Sequence, residues 1–373
     1  MSRRYDVAII GAGMAGASLA AEIAGEASVL LLEAESQPGY HSTGRSAAFW
    51  SETYGGPLIQ PLTSASGGFL VAPPPDFSDR PLITPRGAIH LADGEGTAAL
   101  AKLERAFANS SVPLRRMDKA ALATVIPGLR PGWDEALAEP SCADIDVAAL
   151  HAAYLKRARA RGGALATDAR LVAARRDGGH WAIQTTACSF AAHILVDAAG
   201  AWADIVARAA GVAPLGIRPY RRTIVQARVS PAPPADMPLV IDAAERFYFK
   251  SEAGGRLWLS PHDETPCDPC DSASEEIDIA TAIDRLEQVV DWRVERVERS
   301  WAGLRSFAPD RLPVYGFAAD APGFFWCAGQ GGFGIQTAPA AAKLAAALLL
   351  GRAPDSLVAP IDPAPYAPGR FAA

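Results

Sequence analysis

The chain has 373 residues, half of them hydrophobic and a fifth charged, with a net charge of −6. That composition supports a packed core rather than wholesale disorder, and the length suits two domains or one large interleaved pair. The acidic balance, with no Lys/Arg stripe interleaved with aromatics, argues against a nucleic-acid partner. The five cysteines are an odd, sparse set. They fit a reducing compartment better than a disulfide framework, so the expected location is the cytoplasm.

The chain opens on Tyr5-Asp-Val-Ala-Ile-Ile-Gly-Ala-Gly-Met-Ala-Gly-Ala-Ser18 and continues to Val29-Leu-Leu-Leu-Glu33. An apolar strand stops at Gly11, and Gly11, Gly13 and Gly16 take the spacing G-x-G-x-x-G. A small-residue helix and a second strand ending in an acid follow, the order of parts that holds a dinucleotide. Gly11 turns the chain off the strand, Gly13 lets backbone approach a pyrophosphate, and Gly16 lets the helix pack close to the sheet. Glu33 can accept hydrogen bonds from a ribose. Arg3 and Arg4 before an apolar run could mimic a secretory leader, but Asp6 and three glycines interrupt the pattern.

Further on, Asp146 is placed to cap a helix over Val147–Ala160, which Gly162-Gly163 ends. Short strands are expected over 164–167, 169–175, 180–186 and 193–196, the last running into Asp197-Ala-Ala-Gly-Ala-Trp202 and a helix over 203–210. Longer strands are expected over 217–230 and 246–260, and an amphipathic helix over 280–290. The chain closes with an apolar strand over 323–328, the turn Gly329-Gln-Gly-Gly-Phe-Gly334 and a helix over 335–350. No uncharged stretch reaches the length of a membrane span; the nearest, Ala338–Leu350, contains Lys343 and reads as a buried helix. A second glycine-rich strand-to-helix turn suits a ligand with electronegative atoms at both ends, which points from dinucleotides in general to a flavin.

These motifs, with Gly39-Tyr-His-Ser-Thr-Gly-Arg-Ser-Ala-Ala48, Trp301-Ala-Gly-Leu-Arg-Ser-Phe307 and Gly334-Ile-Gln-Thr337, resemble the D-amino-acid oxidase-like flavoproteins over nearly the whole chain. The likeness is greatest to the D-arginine dehydrogenases within them. The resemblance implies FAD as cofactor. Gly11, Gly13 and Gly16, with Ala15 on the same turn, would hold the pyrophosphate, and Glu33 the adenosine ribose. Ser42, Thr43, Arg45, Ser46 and Ala47 would line the ribityl and flavin side, with Ala199 and Gly200 in the same cofactor set. Gly331, Gly332, Gly334 and Gln336 would sit by the flavin ring. Arg305 and the Arg221-Arg222 pair resemble a carboxylate clamp, assisted by the Tyr248 hydroxyl, and Tyr54 resembles a lid residue. A planar guanidinium suits that task, because two parallel charge-assisted hydrogen bonds fix orientation as well as affinity. Neighbours on a strand face opposite ways. Only one of Arg221 and Arg222 can therefore face a site, and spacing leaves open which.

Three positions depart from the D-arginine dehydrogenase pattern. Ala88 stands where that branch has a guanidinium-binding glutamate, Phe49 where it has a histidine, and Phe333 where it has a tyrosine. A buried cation without a carboxylate is costly, so the expected side chain is apolar; an inward-facing Arg86 would instead favour an acidic one. Cys267-Asp-Pro-Cys270 has chelating spacing, but a closed zinc site needs four ligands, so a plain exposed loop is expected and no metal.

The sequence thus predicts an α/β protein: a Rossmann-type FAD-binding domain (1–48, 144–212 and 303–373) and a discontinuous substrate domain (49–143 and 213–302) on a mostly antiparallel sheet. The expected reaction is oxidation of an apolar D-amino acid to the imino acid by hydride transfer to flavin N5, with a small amino-acid-like molecule as the substrate partner and the electron acceptor left open. A secondary amine, such as an N-methyl or cyclic amino acid, shares the clamp, and a 2-hydroxy acid could use it too. A flavin-binding module without turnover is the reading from another class, and it gives no reason for Arg305, Arg221/Arg222, Tyr248 and Tyr54 to occur together.

Overall fold

The computed structural model describes residues 3–371. The first strand, Arg3–Ile10, lies in an eight-stranded sheet between Val29–Leu32 and Ser189–Asp197, parallel to both. Ala164–Ala166 extends the sheet beyond Val29–Leu32, and Phe324–Ala328 pairs in parallel with Ser189–Asp197. The register sets Ile10 opposite both Leu32 and Asp197, and Asp197 opposite Trp326. Four carboxyl ends therefore reach one rim, the edge at which open parallel sheets take their ligands.

Alternation along the strands explains why both faces are covered. Val7 and Ile9 point into one buried cluster, where the helices Met14–Ile23, Val147–Ala160 and Ala338–Leu350 pack; Ala8 and Ile10 point into another, with Trp181 and Trp326. Asp146 caps the second helix by accepting from the Ala149 N–H at 2.9 Å. The last helix begins at Ala338, later than the glycine turn implies. Pro339 lies in its first turn, where a missing N–H costs least.

The second sheet has ten strands, antiparallel except where Leu239–Asp242 runs beside Ala88–Ala92. Its spine is the pair Arg218–Ser230 and Arg293–Phe307. The expected strand over 246–260 is instead a hairpin, Tyr248–Glu252 and Arg256–Ser260. Gly254 and Gly255, both at positive φ, supply the turn that the period-two pattern concealed. Gln330–Gly331 pairs with Ser306 and Phe307, so the closing glycine turn is hydrogen-bonded to the second sheet.

The packing divides the chain differently from the expected domain segments. Helix Gln60–Val71 lies within 49–143, yet Leu62, Phe69 and Leu70 join the core cluster of the first sheet. The strand Arg293–Phe307 crosses the expected boundary at 303 and belongs wholly to the second sheet. Both differences arise because helix faces and long strands pack as units. No helix of the described residues is long and apolar enough to cross a membrane.

Candidate active site

A single cleft of about 420 Å³ runs from the rim of the first sheet to the face of the second. At one end the strand Arg3–Ile10 turns at Gly11, which sits at φ +99°, where an added Cβ would fall 2.5 Å from the Ala198 carbonyl oxygen. Gly13 is the N-cap of the helix and has no side chain to cap it. A Cβ on Gly16 would lie 1.9 Å from the Gly11 oxygen, so this residue serves helix–strand packing and does not line the cleft. Glu33 accepts from the Ala12 N–H at 2.9 Å and the Glu35 N–H at 3.1 Å. These bonds hold its carboxylate at the cleft wall with acceptor capacity to spare. Ala15, Ala199 and Gly200 line the same end, with Trp202, Ile205 and Val206.

The 39–48 segment crosses between the sheets. Thr43 accepts from the Met14 N–H at 3.0 Å, tying the segment to the first glycine turn, while Ser42 donates to the Leu304 oxygen at 2.7 Å. The Arg45 guanidinium pairs with Asp271 and donates to the Ala302 oxygen, so it fastens the segment to the second sheet. Ser46 and Ala47 line the cleft. His41, in the same stretch, hydrogen-bonds Glu35 at 3.0 Å and packs on Trp202. Opposite lie Gly331, Gly332 and Gly334 of the closing turn. A helix N-terminus, side-chain-free backbone at Gly13 and a ribose-suited carboxylate in one continuous cleft fit a long dinucleotide such as FAD.

At the other end Arg222, Ile224, Tyr248, Arg305, Phe49 and Tyr54 line the cleft. Arg222 donates to the Asp263 carbonyl at 2.7 Å and reaches Glu264 at 3.3 Å, while its buried Nη1 has no partner among the described residues. Among the described residues Arg305 makes no hydrogen bond or ion pair; its guanidinium lies 5.6 Å from the Tyr54 ring centroid. Burial, then repulsion from Arg305, presses Arg222 down to about 10, still charged at neutral pH. Burial opposes the charge on Arg305 as well, but Tyr54, Tyr248 and nearby carboxylates outweigh it and hold the guanidinium above its usual value. Two guanidiniums with unspent donors facing one cavity make a site for an anion. His262, edge-on to Tyr248, is pushed down to about 2 by its burial and then by the Arg222 and Arg305 charges. It is therefore neutral here.

Several sequence expectations need correction. Arg221 points to the opposite face and pairs with Glu275 and Asp278, so it is not part of the clamp. Ala88, 2% exposed, does not line the cleft; it packs behind Phe49 and Tyr248. Phe333 likewise lies behind the lining, edge-on to Tyr54. Gln336 lines the cleft, but its amide is spent on Tyr54, Thr63 and Ser51 rather than turned to a flavin. Arg86 bonds Asp144 and the Met237 carbonyl, which removes the route to an acidic side chain. The Cys267 and Cys270 sulfurs lie 3.5 Å apart, and no cluster suited to a metal occurs among the described residues. The sequence also gave no signal for Glu139 and His90, a buried pair behind the Ser51–Tyr54 segment. Their partners are distant in sequence, so no spacing rule could find them.

Residues 6–348 match the DAO family of FAD dependent oxidoreductases, and the chain belongs to it. It is therefore a flavoenzyme with FAD as its cofactor. Glycine oxidase from Geobacillus kaustophilus (strain HTA426) is 26% identical over 364 residues, covering 94% of each chain. The crystal structure of glycine oxidase from Geobacillus kaustophilus superposes with a TM-score of 0.85 at 25% identity, over 98% of each chain. L-proline dehydrogenase from P. horikoshii shares the fold, with a TM-score of 0.85 at 19% identity, over 100% of this chain and 98% of that one.

Proposed function

We propose that this flavoenzyme oxidises an amino acid at the Cα–N bond, a D-amino acid with an apolar side chain being preferred. The carrying observation is the pair Arg222 and Arg305, which line one cavity together, with Arg222 Nη1 and the Arg305 guanidinium unpartnered among the described residues. They would take the substrate carboxylate, with the Tyr248 and Tyr54 side chains closing around it. FAD, when bound, supplies the two-electron acceptor for the hydride that leaves Cα. The chain contributes placement: the clamp fixes the carboxylate, and orientation alone can remove much of the barrier to such a transfer.

Phe49, Ile224 and the tyrosine rings give the substrate end an apolar wall. The acidic residues lining the cleft, Glu33 and Glu35, belong to the nucleotide end, so a cationic side chain would be buried without a partner. D-stereochemistry is supported by the likeness to D-amino-acid oxidase-like enzymes, and action on an amino acid by the glycine oxidase relative. The test is an anaerobic screen of the yellow holoenzyme. Bleaching by D-leucine or D-phenylalanine but not D-arginine is expected. Bleaching only by sarcosine or proline-like compounds would move the reading to secondary amines, and bleaching only by 2-hydroxy acids would overturn it.

A further inference from the structure

Glu139 ends the strand Glu135–Glu139 and is wholly buried. One carboxylate oxygen accepts from the backbone N–H of Glu52 at 2.6 Å and of Thr53 at 3.4 Å. The other accepts from Ser51 Oγ at 2.9 Å and Thr53 Oγ1 at 2.6 Å, and lies 3.1 Å from His90 Nε2. Burial alone would push this carboxyl up, yet the bonds from His90, Thr53 and Ser51 outweigh it and hold it below its ordinary value. Its lone pairs are occupied, so it has nothing left to offer a substrate cation.

All of these bonds except that of His90 come from the three residues before Tyr54. From the other side Gln336 donates to the Tyr54 carbonyl at 3.1 Å and accepts from the Ser51 N–H at 3.3 Å. Gly55 and Gly56, at φ +94° and +80°, then turn the chain away. Tyr54 thus sits on a short segment held from both sides, with its ring beside the Arg305 guanidinium and its hydroxyl against the bare Cα of Gly332.

We propose that Glu139 is a positioning residue: it holds the Ser51–Thr53 backbone so that Tyr54 stands preformed over the carboxylate site at Arg305. The assignment rests on the reading that this site takes a substrate carboxylate. A fully satisfied buried network fixes one conformation of the groups it joins, which spares the substrate the cost of ordering the segment on binding.

The test is a double-mutant cycle in the holoenzyme, with Glu139→Gln, Tyr54→Phe and both together. Benzoate, followed by flavin absorbance, serves as the carboxylate probe alongside steady-state kinetics. Glu139→Gln is expected to keep its FAD and to raise KM and the benzoate Kd about tenfold, as contacting residues couple. Its kcat should stay within about twofold, since uniform binding is what is lost. The double variant should be no worse than the poorer single one. In hydrogen exchange, the Glu52 and Thr53 amides should lose protection in Glu139→Gln. Additive effects, or unchanged KM with unchanged protection, would overturn the proposal. If Glu139→Gln fails to hold FAD, Ser51→Ala with Thr53→Val replaces it in the same cycle. If the wild type neither turns over an amino acid nor binds benzoate, the functional reading fails and the substrate half of this proposal with it; the amide protection still decides whether Glu139 holds the segment.

Discussion

Arg222 and Arg305 share one face of the second sheet, on neighbouring antiparallel strands and two pairs apart: Arg222 is opposite Gly303 and Arg305 opposite Tyr220. With glycine facing it, Arg222 meets no bulky neighbour across the strand. The arrangement brings two positive charges together, and among the described residues Arg222 Nη1 and the Arg305 guanidinium have no hydrogen-bond partner. An anion between them would relieve their repulsion, as the proposed clamp requires.

Arg305→Ala should raise KM by roughly 30-fold or more, the scale of truncating one partner of a desolvated charged hydrogen bond. FAD content, read from the flavin spectrum, should be unchanged. Arg305→Lys should recover little of the loss, because an ammonium cannot make the two parallel bonds of a guanidinium. Arg221→Ala is the matched control. It should cost about 1–3 kcal/mol of stability through its orphaned carboxylate partners, with KM unmoved.

Ala88→Glu should not create D-arginine activity. Ala88 pairs directly with Glu139 across the sheet and is buried behind Phe49 and Tyr248. A second buried carboxylate there would repel the first, at a cost of about 3–5 kcal/mol. A thermal melt should show the loss, and an anaerobic titration with D-arginine should leave the flavin oxidised. Bleaching in that titration would show that the Ala88 strand reaches the substrate.

Two glycine substitutions should separate cofactor from substrate. A Cβ on Gly332 would lie 2.2 Å from the Tyr54 hydroxyl oxygen and 3.2 Å from the Arg305 guanidinium carbon. Gly332→Ala should therefore displace both side chains and raise KM about tenfold or more with FAD retained. Gly16→Ala collides with backbone at 1.9 Å, which cannot move aside as a side chain can. Recovery of little or no yellow protein is expected from it.

Two buried carboxyls should give opposite pH signatures. Glu139 is held below its ordinary value, so its contribution to stability is complete above the unfolded carboxyl range and is lost as pH falls through the depressed value. Glu139→Gln should flatten the acid limb of a melting-temperature profile. Asp197 is pushed well above its ordinary value, by burial first of all, and its Oδ2 has no partner among the described residues. Its contribution is present at acid pH and lost as pH rises from the unfolded value towards the raised one. The stability gain from Asp197→Asn should accordingly grow between pH 4 and pH 7. A gain independent of pH would mean that Asp197 is ionised in the folded protein.

Some parts of the site were legible in the chain because their chemistry is local. Glycines at fixed spacing between a strand and a helix, or an aspartate one residue ahead of a helix, do their work within a few residues. The same holds for Tyr248, whose alternation with Phe247 and Phe249 already separates it from the apolar cluster those two join. The hairpin at 248–260 was hidden because strand residues continue the same pattern on both sides of the Ala253-Gly-Gly255 turn. Glu139 was hidden for another reason: a carboxylate becomes a clamp only when five donors from distant segments surround it.

The sequence by itself determined the cofactor and the family, since a pyrophosphate is held by backbone whose path depends on which residues lack a Cβ. It also determined that one of two adjacent arginines must turn away from any site. Strand pairing decided that Arg222 stays and Arg221 leaves, because only the tertiary structure sets Glu275 and Asp278 against the other face. Packing decided that Ala88 and Phe333 stand behind the cleft wall rather than in it. Which side chains meet a substrate depends on how two sheets close over one another, and no spacing along a single chain encodes that.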